Sequence, residues 1–155
     1  MKLRLSLLVL IVFLSGCFAE NEAKNAVKKL LNDPDSAQFS EVTNGKKNGD
    51  VCGFVNAKNR MGGYVGNTAF FYEKASGIAG LVQPVEDSEF RSLWLAIKGN
   101  SFSEELEKVM MGCKVSEMWG DTCTSPAIPA THPMCPALKK NGTDLYKSLQ
   151  TVYDR

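Results

Sequence analysis

Apolar and polar positions divide this chain into segments of distinct period. Residues 5–14, LSLLVLIVFL, form an apolar run broken only by Ser6. From Glu20 to Asn32 the pattern becomes helical, with Ala23, Val27, Leu30 and Leu31 at i, i+4, i+7 and i+8 between charged neighbours. Asp33-Pro34 stops that helix, because a residue before proline is driven out of the α region. Ala37–Thr43 then reads as a strand with Phe39 inward, and NGKKNGD follows as a turn with two Asn-Gly steps. Val51–Ala57 alternates, placing Cys52, Phe54 and Asn56 on one face and Val51, Gly53, Val55 and Ala57 on the other. After a polar connection over Lys58–Gly66, the aromatics of Thr68–Glu73 predict a third strand.

The second half turns helical. Ala75–Val85 fits either a turn or a short edge strand, since Gly77, Gly80 and Pro84 obscure its period. Phe90, Leu93, Trp94 and Ile97 make a helical stripe behind an Asp87 cap, ending at Gly99-Asn100. Ser101 with Glu104 predicts a capping box, opening a helix whose stripe is Leu106, Val109, Met110 and Cys113. Trp119–Pro136 holds four prolines and reads as a loop, and Thr143 is the expected cap of a last helix carrying Leu145, Leu149 and Val152. The fold class that follows is α+β: a small antiparallel sheet of three or four strands, packed by helices on one face.

Composition adds that 44% apolar and 23% charged residues are ordinary for a globular chain. A formal charge of +1 leaves no electrostatic footprint for nucleic acid. The apolar run at residues 5–14 is too short to cross a bilayer, which takes about 20 residues. Lys2 and Arg4 before it give a basic, apolar, small-residue order, as in export signals. Leu14-Ser15-Gly16-Cys17 resembles the lipobox of bacterial lipoproteins. That resemblance implies a signal peptide over residues 1–16, cleavage before Cys17, and acylation (palmitate or similar chains) of Cys17. Several acyl chains anchor far more firmly than one, at about 0.8 kcal/mol per buried methylene. Phe18 stands where an Asp would favour inner-membrane retention. The expected location is therefore the outer membrane, facing the periplasm, with secretion after cleavage at Ala19 as the alternative. Residues 17–155 are expected to form a single envelope domain.

Four further cysteines, Cys52, Cys113, Cys123 and Cys135, make an even set suited to an oxidising compartment, and two disulfides are expected. Three pairings are open. Cys113 lies on the buried face of its helix and Cys52 shares a face with Phe54. This favours Cys52–Cys113, leaving Cys123–Cys135 to staple a loop around 114–140.

Candidate chemistry is sparse. His132, in the proline-rich loop, has no nucleophile or carboxylate motif beside it and is expected to be exposed. The glycines of MGGYVG precede a strand instead of a helix, so they are no phosphate cradle. Clustered carboxylates at Glu86/Asp87/Glu89 and Glu104/Glu105/Glu107 fall in first helical turns, where they complement the dipole. No cofactor, metal site or catalytic residue is expected. The candidate binding cluster is Asn56, Lys58, Asn59, Arg60 and Tyr64, which gathers amides, cations and an aromatic ring on a strand end and loop. Its competing role is structural, with the two asparagines satisfying turn backbone and the cations simply solvated.

DPDSAQF at 33–39 and CGFVNAKNRMGGYVG at 52–66 resemble a pattern in small bacterial exported or phage-associated proteins. The resemblance covers roughly residues 30–72 and carries no activity with it. It implies a setting of phage- or plasmid-borne surface modification or exclusion. The expected function is non-enzymatic: an anchored envelope lipoprotein whose partners are the membrane and an envelope protein or component. Inhibition of a secreted hydrolase such as lysozyme is the alternative.

Overall fold

A computed structural model describes residues 18–124 and 131–154. The leader and the lipidation candidate Cys17 lie outside these residues, as do residues 125–130 of the proline-rich loop. The described chain divides into two compact units, residues 18–82 with 119–124 and residues 83–118 with 131–154.

The first unit is an antiparallel meander of four strands, β1 (Gln38–Asn44), β2 (Val51–Asn56), β3 (Thr68–Glu73) and β4 (Ile78–Val82), in sequential order. A helix α1 over residues 18–28 covers one face. Its Ala23 and Val27 are fully buried in a cluster with Val51, Val55, Phe70 and Tyr72. These sheet residues are the alternate positions of β2 and β3, so strand period decides which side chains α1 meets. Phe39 meets Phe70 edge-on, with ring centroids 5.5 Å apart. Gly53 admits that ring: a Cβ there would lie 2.8 Å from Phe70 Cε1. The ambiguous stretch 75–85 resolves as edge strand β4, paired with β3 from Glu73↔Ile78 to Ala69↔Val82.

The second unit is helical: α2 (Asp87–Lys98), most of α3 (Ser103–Thr122), α4 (Cys135–Leu138) and α5 (Gly142–Tyr153). Its core joins Phe90, Leu93 and Trp94 of α2 to Val109, Cys113, Cys135 and Leu149. Two caps differ from expectation by a residue or two. The Glu86 N–H donates to Glu89 Oε2, 3.1 Å away, so Glu86 precedes α2 and the Asp87 side chain is released for other contacts. Asn141, not Thr143, caps α5 by accepting from the Asp144 N–H at 2.9 Å. α3 starts at Ser103 instead of behind a Ser101 box, and it runs through Trp119 to Thr122, where a loop was expected.

That extra length corrects the disulfide pairing. The bridges are Cys52–Cys123 and Cys113–Cys135, not Cys52–Cys113 and Cys123–Cys135. The stripe bearing Cys113 packs on Phe90, Leu93 and Leu149, within the helical core of its own unit. Cys123 lies ten residues further on, roughly 15 Å along a helix, well beyond the roughly 7 Å that one bridge spans. It sits where the Lys46 N–H donates to Thr122 O at 2.7 Å, beside β2. The loop around 114–140 is thus closed from Cys113 instead of from Cys123.

Candidate functional site

The connection between β2 and β3 brings the sequence cluster together and assigns each member a task. Asn59 holds the turn. Its Oδ1 accepts from the Met61 N–H at 2.9 Å and the Gly63 N–H at 3.1 Å, while its own N–H donates to Gly63 O at 2.8 Å. Gly62 adopts φ 81° inside that turn, a conformation a side chain would oppose. Asn56 Oδ1 accepts from the Gly66 N–H at 3.1 Å and fixes the far end. Lys58 and Tyr64 form an isolated antiparallel bridge, with Lys58 Nζ 5.6 Å from the Tyr64 ring centre. The Arg60 Nε–H donates to Asn32 Oδ1 at 3.3 Å.

The base of the loop rests on the DPDSAQF block. The Lys58 N–H donates to Ser36 Oγ at 2.8 Å, and Tyr64 Oη accepts from Gln38 Nε2 at 3.0 Å. Residues 33–39 and 56–66, remote in sequence, are therefore one construction. The two amides serve the backbone, and each cation is engaged within the unit. Beside the exposed Arg60, the loop presents apolar side chains outward: Met61 is 94% exposed, Val65 64% and Tyr64 47%. Sequence reasoning missed Met61 and Val65. The signal was present, since they are the apolar side chains in an otherwise polar connection that buries neither.

No family model, curated protein or solved structure matches this chain.

The loop stands at one end of the sheet, and the start of α1 at the other. Glu22, early in α1, accepts from Tyr72 Oη at 2.9 Å and pairs with Lys74, both near the end of β3. The Lys74 ammonium and then the Tyr72 hydroxyl hold the Glu22 carboxyl below its usual range. β3 spans roughly 20 Å between these ends.

In the second unit His132 is not the exposed, partnerless residue expected. Its ring stacks on Phe90 with centroids 4.5 Å apart, and Nε2 lies 3.0 Å from Asp87 Oδ1. The same Asp87 oxygen accepts from Tyr153 Oη at 3.0 Å. Nδ1 accepts from the Met134 N–H at 3.1 Å, which makes Nε2 the protonated nitrogen that donates to Asp87. Both ring nitrogens are thus committed, leaving none to take a proton from a substrate. The imidazole pegs residues 131–134 to the start of α2. Among the described residues no group of three or more His, Cys, Asp or Glu side chains is placed to hold a metal ion.

The His132 contact, then the Tyr153 contact, lowers the Asp87 pKa, while burial first and Asp87 second push the Tyr153 phenol up to about 12. Because the folded value lies above the ordinary one near 10, the fold favours neutral Tyr153. That contribution is whole below about pH 10 and is lost as pH rises through about 12. Tyrosinate absorbance is expected to show a late step near pH 12 that Tyr153→Phe removes. A complete titration well below that value would refute the contact.

Proposed function

We propose that this protein is a non-enzymatic lipoprotein of the cell envelope, anchored through Cys17, that holds a protein or envelope component on the loop at residues 57–66. The observation that carries the reading is the pairing of a rigid base with an exposed apolar tip. Asn56 and Asn59 fix the backbone, so Met61 and Val65 are displayed at a reduced backbone ordering cost on binding. Met61, almost wholly in water, makes no burial contribution to folding, and three exposed apolar side chains within one short loop support an interaction site. The lipobox, the basic and apolar leader and the two disulfides support an exported, oxidised setting. Phe18 after Cys17 supports outer-membrane placement. The loop stands at the opposite end of the sheet from the start of α1, which follows Cys17 in the chain, and this supports its display away from the anchor. A protruding rigid loop also suits insertion into a cleft, which favours inhibition of a soluble hydrolase such as lysozyme as the second reading.

The test places a photocrosslinking residue at Met61 in the intact, membrane-borne protein. A discrete adduct is expected, and Val65→Asp is expected to abolish it with no change in melting temperature. Asn59→Ala, which removes the one oxygen that accepts from both the Met61 and Gly63 N–H groups, is expected to lower stability by about 1–2 kcal/mol and weaken the adduct. An adduct indifferent to Val65→Asp would sink the loop reading. A soluble hydrolase inhibited by the wild type, and not by Val65→Asp, would decide for the second. Mass spectrometry of the membrane-extracted protein reports acylation at Cys17 independently.

A further inference from the structure

The exposed face of α3 carries a short pattern of charge and apolarity that is complementary to its own reverse. Glu107, Met110, Met111 and Lys114 occupy positions i, i+3, i+4 and i+7, a single helical face. Met110 and Met111 are 50% and 57% exposed. They line a groove of about 900 Å³ together with Phe102, Leu106 and Leu138. Nearby Lys108 and Glu117 are satisfied by Glu89 and Lys139. Glu107 and Lys114 form no ion pair among the described residues.

We propose that this face is the contact between two copies of the chain, packed antiparallel about a two-fold axis passing between Met110 and Met111. An antiparallel pairing centred there sets Glu107 of one copy against Lys114 of the other, and symmetry repeats the contact on the far side. One operation therefore satisfies both free charges of each copy. It also sets Met110 against Met111, so four thioether side chains fill the seam, and their flexibility suits an irregular groove. The same operation brings Glu104 towards Glu117 of the other copy, but Glu117 is already neutralised by Lys139 of its own. An acyl chain or an apolar peptide would occupy the groove without using opposite charges two turns apart. A second copy uses both. The inference stands apart from the loop at residues 57–66, which lies in the other unit.

The experiment is sedimentation equilibrium on the purified, oxidised protein across the micromolar range, with four variants. Wild type is expected to show a reversible monomer–dimer equilibrium. Glu107→Lys places like charges across the axis at both contacts, as does Lys114→Glu. Each is expected to weaken the dimer by about tenfold, twice over the few-fold effect of one exposed pair. Combining Glu107→Lys with Lys114→Glu restores opposite charges and is expected to recover wild-type association. Met110→Ser/Met111→Ser is expected to abolish it. All four positions are exposed, and unchanged circular dichroism and melting would verify folding. A wild type that stays monomeric overturns the proposal. So does a dimer indifferent to the single reversals, or a double reversal no stronger than either single one.

Discussion

Replacing Cys52 and Cys123 together by alanine is expected to lower the unfolding free energy of the first unit by about 4.4 kcal/mol. The bridge closes a loop with a sequence separation of 71, against 22 for Cys113–Cys135. In the loop-entropy account the restriction of the unfolded chain grows with the logarithm of loop length, so the shorter bridge contributes about 3.4 kcal/mol. The order of the two losses is the sharper prediction. A domain's whole stability is only about 5–15 kcal/mol, so the Cys52/Cys123 variant is expected to melt far below the wild type. Urea unfolding of the two paired-alanine variants measures the difference. Proteolysis without reduction is expected to release one peptide joining Cys52 to Cys123. A peptide joining Cys52 to Cys113 would refute the pairing.

Phe70→Ala is expected to cost about 3–5 kcal/mol. Phe70 is fully buried between α1 and the sheet, edge-on to Phe39 and directly over Gly53. Truncation removes the ring's transfer energy and leaves a hole that its neighbours fill poorly. Gly53 has no side chain to move in, and Phe39 is tied to β1, whose register with β2 runs through Phe39↔Val55. The control is Phe18→Ala, the same chemistry at a residue 77% exposed, expected to change stability by less than about 0.5 kcal/mol. Urea midpoints of the two variants make the comparison. A Phe70→Ala midpoint close to that of Phe18→Ala would mean that α1 does not seal this face.

Local period carried much of the fold. The expected third strand and β3 share the bounds Thr68–Glu73, and β2 differs by a single residue at its end, because alternation over a half-buried sheet is written directly in side-chain order. The stripe of α2 was equally legible, and the capped start of α5 shifted only from Thr143 to Asn141. β4 was not, since Gly77, Gly80 and Pro84 erase a strand's signature. Its existence rests on hydrogen bonding to β3. The far half of α3 was hidden by Gly112, Ser116 and Gly120, which interrupt the apolar stripe. Burial of Ser116, Trp119 and Thr122 sustains it.

The sequence by itself determined an α+β chain with a meander of strands, helical flanks and two disulfides among Cys52, Cys113, Cys123 and Cys135. These are consequences of period, turn chemistry and cysteine count, all of which act over a few neighbouring residues. The tertiary structure decided which cysteines meet, that His132 finds Asp87, Phe90 and Tyr153, and that the amides at residues 56 and 59 turn inward while Met61 and Val65 turn out. Each of these depends on where chain segments tens of residues apart come to rest. That placement is set by the burial of Phe70, Trp94 and Leu149 in their cores, and no local pattern encodes it.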